Sequence, residues 1–150
     1  MTQSFTLDPR LVNDTHEIGV LKLCRVLLMD DARYPWIILV PQCANATEII
    51  DLSNSDQLCL MHEICAVSVA LKTCFSPDKL NVAALGNQVA QLHVHIIARF
   101  VSDEAWPNPV WGRGTSVPYP SHMAGSLIDR VSKALVPLGL GAPVGLVERT

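Results

Sequence analysis

Charge is scarce in this chain. Only 17% of its 150 residues are Asp, Glu, Lys or Arg, whereas 49% are hydrophobic. That balance excludes a disordered polymer and implies well-filled elements around a core that 150 residues are enough to build, most simply as one domain. Basic excess is missing too. A net charge of −3 with a pI near 5.9 excludes a general basic surface for nucleic acid, although a small phosphate ligand needs only a few local donors. No apolar run approaches the ~20 residues of a membrane span, and Met1-Thr2-Gln3-Ser4-Phe5 lacks the basic and apolar stretches of a leader, so the expectation is a cytoplasmic protein without a membrane segment. No Cys-x-x-Cys pair occurs. The five cysteines, Cys24, Cys43, Cys59, Cys65 and Cys74, are odd in number and sit in apolar surroundings, as small buried hydrophobes do in a reducing compartment. Internal repeats, low-complexity tracts and domain-splitting linkers are absent as well.

Strands and helices punctuate what remains. A helical turn at Leu7 to Val12 precedes a bend at Asn13-Asp14-Thr15. Ile18 to Met29 reads as strand with a break near Lys22, and Asp30-Asp31-Ala32-Arg33 turns the chain into a second strand, Trp36 to Val40. The short turn between them predicts an antiparallel hairpin. Ser53, with Asp56 three residues on, is the N-cap of a helix running to about Thr73. Leu60, Ile64, Val67 and Leu71 form its apolar stripe. Leu58, Met61, Cys65 and Val69 form a second one, which a subunit partner would cover. Leu80 to Leu85 is a third strand, paired in a second hairpin with a fourth at Leu92 to Phe100. Proline makes 101–120 irregular, and its length favours a role at a site or an interface; a last amphipathic helix spans about Met123 to Leu135.

The fourth strand is the informative one. Side chains alternate along a strand, so Leu92, Val94, Ile96, Ala98 and Phe100 share an apolar face, and Gln91, His93, His95, Ile97 and Arg99 share the other. Two imidazoles, an amide and a guanidinium are costly to desolvate without partners, so their clustering predicts a polar pocket for a ligand. Two chemistries suit a His-x-His pair. One is metal binding, for which His16, His62, His122, Asp30 or Glu63 would have to supply a third ligand, none at a recognisable spacing. The other is nucleophilic attack by a neutral imidazole on phosphorus, splitting one displacement into two. The second nitrogen of that ring must be held by an acceptor, and donors must meet the phosphate oxygens. Gln91, Asn87, Gln88, Arg99 and the backbone of the Gly86 turn are candidates for those donors. A third option is that the histidines are simply satisfied inside a polar core patch.

Gln91-Leu92-His93-Val94-His95-Ile96-Ile97 resembles the histidine triad motif, His-φ-His-φ-His-φ-φ with φ apolar, with Gln91 at the place of the first histidine. The resemblance extends over roughly residues 10 to 112. Leu27-Leu28-Met29-Asp30-Asp31 before Tyr34-Pro35-Trp36-Ile37-Ile38-Leu39-Val40-Pro41 is similar to the family's nucleoside-side hairpin, and the central helix and Leu85-Gly86-Asn87 follow in the family's order. It implies a histidine-triad-like α+β fold, an antiparallel sheet with a central helix and a C-terminal helix, usually a homodimer, in which 113–150 supply the last loop and helix. It implies a nucleotide hydrolase or nucleotidyl transferase acting on the α-phosphate of dinucleoside polyphosphates or nucleoside phosphoramidates. No cofactor is required, a divalent cation entering only with a polyphosphate substrate. Position by position, His93 would be the nucleophile, His95 would lie beside the phosphate, and Gln91 would hydrogen-bond without changing charge. Asn87 would contact phosphate. Asp31 or Asp30 would hold the ribose hydroxyls, Trp36 would stack on the base or pack in the core, and Trp111 would reach the partner subunit's site. The rival readings are a non-catalytic nucleotide-binding protein and a metal-dependent hydrolase.

Overall fold

The computed structural model describes residues 4–144. Five antiparallel strands form one sheet in the order β1-β2-β3-β5-β4: β1 is Thr15–Val20, β2 Cys24–Met29, β3 Trp36–Pro41, β4 Lys79–Ala83 and β5 Val94–Arg99. Three α-helices accompany it, α1 at Pro9–Asp14, α2 at Asn54–Phe75 and α3 at Ser121–Leu135, with short 3-10 turns at Ile49–Asp51 and Val136–Leu138. This is the expected histidine-triad-like α+β fold.

The segment expected as strand with a break near Lys22, Ile18 to Met29, is a hairpin of β1 and β2 that folds back at that break. The sequence offered no Asn-Gly or Asp-Gly turn there. A carboxylate on another element holds the reversal instead: Glu63 of α2, buried, accepts from the backbone N–H groups of Leu23 at 2.7 Å and Cys24 at 2.9 Å. Burial and this neighbouring carboxylate push the Cys24 thiol far up. Gly19 in β1 lies against the chain after α3. A Cβ there would meet the Gly141 carbonyl oxygen at 2.4 Å, and Val20 and Gly141 bridge through backbone hydrogen bonds.

One face of the sheet is covered by helices. Val26, Leu28, Ile37, Leu39, Val94 and Ile96 meet Leu60, Val67 and Leu71 of α2 and Val131 and Leu135 of α3 in a continuous apolar core. Fully burying such a side chain stabilises by about 1.5–3 kcal/mol. α2 starts where its cap predicts, with Ser53 Oγ accepting from the Asp56 N–H at 3.1 Å, and ends on Ser76 in the left-handed region. Its second stripe does not enter this core: Leu58, Met61 and Val69 are 57–67% exposed, and Cys65 is exposed as well, unlike buried Cys24 and Cys74 and half-buried Cys43 and Cys59. By length and composition α2 is long and apolar enough to cross a membrane, although its apolar residues form no unbroken run; in this fold it packs one side on the sheet.

The opposite face carries neither α2 nor α3. Leu27, Trp36, Ile38, Val40 and Ile97 are covered by the N-terminal segment, through Leu7 and Leu11, and by the 101–111 loop, through Ala105 and Val110. The functional side chains lie here.

Candidate active site

Register places the site. In β5 Val94 and Ile96 face the helices, so His95, Ile97 and Arg99 face away, and β3 contributes Trp36 and Ile38 to the same side. A cleft of about 330 Å³ opens at the end of this face. Its walls include His93, His95, Trp36, Trp111, the Gly86-Asn87-Gln88-Val89 loop, and Asp14 from the end of α1. Gly86 turns that loop with φ of +78°, a backbone state that costs glycine little.

The two histidines are both buried, with ring centroids 4.8 Å apart and edges toward faces. Their hydrogen bonds assign opposite tautomers. His93 Nδ1 lies 2.7 Å from the Gln91 carbonyl oxygen; a carbonyl only accepts, so Nδ1 donates and Nε2 of the neutral ring keeps its lone pair. His95 Nδ1 lies 3.0 Å from Trp36 Nε1; an indole only donates, so Nδ1 accepts and Nε2 of the neutral ring carries the proton. Burial, helped by the neighbouring His93, pushes the His95 pKa down to about 4, so that ring is neutral at physiological pH.

The sequence candidates divide cleanly. His93, His95, Trp36, Asn87 and Gln88 come together in the cleft. Three others are turned elsewhere. Gln91 spends its amide on the N-terminal segment, accepting from the Asp8 N–H at 2.9 Å and donating to the Thr6 carbonyl at 2.8 Å. Arg99, 1% exposed, forms a two-pronged pair with Asp103 at 2.7 and 3.0 Å and also donates to Asn81 and to the Asn108 carbonyl, locking the proline-rich loop. Asp31, equally buried, is gripped by Arg33 and by the Val117 N–H. Burial alone would raise its carboxyl, but those hydrogen bonds outweigh it and hold it below the usual carboxylate range. Asp30 accepts from Tyr119 N–H and pairs with His16 at 3.1 Å. Neither turn aspartate lines the cleft.

Two residues take roles that local reading did not give them. Trp111 lies in its own chain's cleft, 5.2 Å from the His95 ring and 5.7 Å from that of Trp36. Asp14 was read as part of a bend; it is an exposed carboxylate on the cleft wall, brought there by the Gln91 clamp and by Arg10, which donates to the Gln88 carbonyl. The only available signal was Asp8-Pro9, an N-cap and first-turn proline that start α1. Among the described residues, no group of three or more His, Cys, Asp or Glu side chains is placed to hold a metal ion.

A five-stranded antiparallel sheet backed on one face by two helices, with a histidine pair in a cleft on the other, defines a histidine-triad-like α+β protein. The comparisons narrow it: residues 10–102 match the HIT domain, and the chain belongs to that family. Family members bind nucleotides, and they include hydrolases, transferases and non-catalytic proteins. A histidine triad protein from Bradyrhizobium japonicum is 48% identical, covering 88% of this chain and 98% of its own, with a TM-score of 0.86. One from Sinorhizobium meliloti 1021 is 44% identical over 90% of this chain and 100% of its own, with a TM-score of 0.87. Another, from Marinobacter aquaeolei VT8, is 44% identical over 91% and 100%, with a TM-score of 0.89. No curated protein matches the chain.

Proposed function

We propose that this protein is a nucleotide hydrolase or nucleotidyl transferase that works through a covalent nucleotidyl-His93. The observation that carries this is the His93 tautomer: the Gln91 carbonyl holds the proton on Nδ1 and leaves the Nε2 lone pair for the cleft. In the first step His93 Nε2 bonds to the α-phosphorus as the bond to the leaving group breaks. In the second, water attacks phosphorus, the Nε2–P bond breaks, and a nucleoside monophosphate departs. Asn87, Gln88 and the Gly86 loop amides supply donors to the phosphate oxygens. Leu11, Met29 and Ile38 offer an apolar surface for the base, and Asp14 a carboxylate for the ribose hydroxyls, the role expected of Asp31.

We read Gln91 as standing in the first histidine's place. Its side chain serves the N-terminal clamp and its backbone carbonyl serves the nucleophile, so the exchange of histidine for glutamine leaves His93 equipped. Among the described residues the cleft lining contains no Lys or Arg to neutralise a polyphosphate leaving group, which favours nucleoside phosphoramidates over dinucleoside polyphosphates. No metal is invoked for the nucleophile, a divalent ion entering only with a polyphosphate substrate. A homodimer is part of this reading, supported by the exposed stripe Leu58, Met61, Cys65 and Val69 and by β4 as an edge strand.

The test is turnover of adenosine phosphoramidate and diadenosine polyphosphates, with and without chelator, by wild type and His93→Ala. Monophosphate release that survives chelation and drops on the order of 10³-fold or more in the variant, with nucleotide affinity within about tenfold, supports the reading. Undiminished turnover in the variant would contradict it. Tight nucleotide binding with no turnover anywhere on the panel would select the non-catalytic reading, and joint loss of metal content and activity on chelation the metal-dependent one.

A further inference from the structure

The bond between Trp36 and His95 goes beyond packing. A buried indole N–H needs an acceptor, and in a sheet a carbonyl or water ordinarily supplies one. Here the acceptor is the ring nitrogen of a cleft histidine. The antiparallel register pairs Ile38 with His95 and Trp36 with Ile97, which makes Trp36 the diagonal neighbour of His95 on the same face. Tyr34 packs edge-on against the indole at 6.4 Å and Trp111 at 5.7 Å, and Trp36 is 5% exposed. The indole is therefore walled in, on a central strand, with its only donor aimed at Nδ1.

We propose that Trp36 is a positioning residue which acts through His95, holding that ring in the Nε2–H tautomer so that it presents a neutral hydrogen-bond donor to the reacting phosphate. The proposal rests on the nucleotidyl-transfer reading for its chemistry, but not for the tautomer. Left alone, a neutral imidazole exchanges its proton between the two nitrogens, and half of its choices would present a lone pair to phosphate oxygens that are themselves acceptors. The Trp36 N–H removes that choice. The result is a matched pair of rings: His93 gives the cleft a lone pair for phosphorus, and His95 gives it an N–H for oxygen. His95 keeps its proton throughout, strengthening one hydrogen bond as charge develops on the phosphate. His93 is the titratable group in ring contact with His95, and Asp14 is the carboxylate among the residues that line the same cleft.

Imidazole ¹⁵N NMR at neutral pH reads the tautomer directly, without substrate. Wild-type His95 is expected as a single Nε2–H form. Two variants remove the donor. Trp36→Phe keeps an aromatic ring, and site-specific replacement of Trp36 by 3-benzothienylalanine keeps the indole shape with sulfur in place of N–H, which guards against a simple packing failure. In either folded variant His95 should populate both tautomers, while kcat falls about tenfold, the worth of one neutral hydrogen bond, and KM stays within about twofold. A single Nε2–H form that persists without the indole N–H, or a wild-type His95 found as Nδ1–H, would overturn the proposal. Mixed tautomers in the variants of a wild-type protein that turns nothing over would uphold the Trp36 lock and count against the enzymatic reading alone.

Discussion

On its helix-covered side the sheet meets Leu60, Val67, Leu71, Val131 and Leu135, and Glu63 is the one carboxylate buried in α2. On its cleft side it carries Trp36, His95 and Arg99, under a cover of loop and N-terminal segment. The first side needs only shape and apolarity, which any well-spaced set of Leu, Ile and Val supplies. The second holds each polar group by a specific partner, near in the chain for Arg99, held by Asp103 four residues on and by Asn81, and distant for Gln91, held by Thr6 and Asp8, and for His95, held by Trp36. Stability on one side is therefore a matter of area, and on the other a matter of satisfied hydrogen bonds.

Breaking one partner on the cleft side should do the most damage. Arg99→Met removes the cation from the Asp103 carboxylate, leaving it only the Phe100 and Ala105 amides, and releases the proline-rich loop, so urea unfolding should show about 3–5 kcal/mol of lost stability. If the comparison holds, Arg99→Met combined with Asp103→Leu recovers much of that loss. A double variant as unstable as the single one would mean that the pair is not what holds the loop. On the helix side, Leu71→Ala should cost about 2–5 kcal/mol through transfer and cavity terms, while kcat per folded molecule stays at the wild-type level. A smaller effect, about 1–3 kcal/mol, is expected for Gln91→Ala, which deletes two hydrogen bonds to the N-terminal segment. Because that segment carries Leu11 and Asp14, its KM for nucleotide substrates should rise as well. An unchanged KM would detach the clamp from the site.

The last effect is one of pH. The His95 pKa near 4 in the folded protein lies below its ordinary 6.5, so on acidification the unfolded chain takes up that proton first. The contribution of His95 to stability is whole above pH 6.5 and is lost as pH falls from about 6.5 to about 4, on the order of 2–3 kcal/mol over the interval. Unfolding curves of wild type and His95→Gln across that range should differ in slope, the variant being flatter. Parallel curves would show that this ring does not titrate as its burial requires.

The same comparison explains what was legible in the sequence. The helix side is written in short-range periodicity. The stripe on α2, the cap at Ser53 and the alternation through Val94 and Ile96 are visible in windows of a few residues, and so is the pairing of His93 with His95. The cleft side depends on contacts that span much of the chain. Arg99 and Asp31 carry the right chemistry for phosphate and ribose, and what turns them away is a competition from Asp103 four residues on, Arg33 two residues on and the distant Val117 amide. The near partners are visible in the sequence, but residue type alone does not say that they win over a ligand. Asp14 and Trp111 reach the cleft for the converse reason, through a clamp at Gln91 and a loop locked by Arg99. The break near Lys22 is legible, but not that it reverses the chain, because the reversal is held by Glu63, some forty residues on.

The central claim is the covalent step at His93, and rapid-quench mass spectrometry of the intact protein tests it most directly. Mixed with adenosine phosphoramidate and quenched within the first turnover, the wild type should carry one adenylyl group, mapped to His93 and missing in His93→Ala. Turnover without any adduct on His93, or an adduct on another residue, would contradict the account.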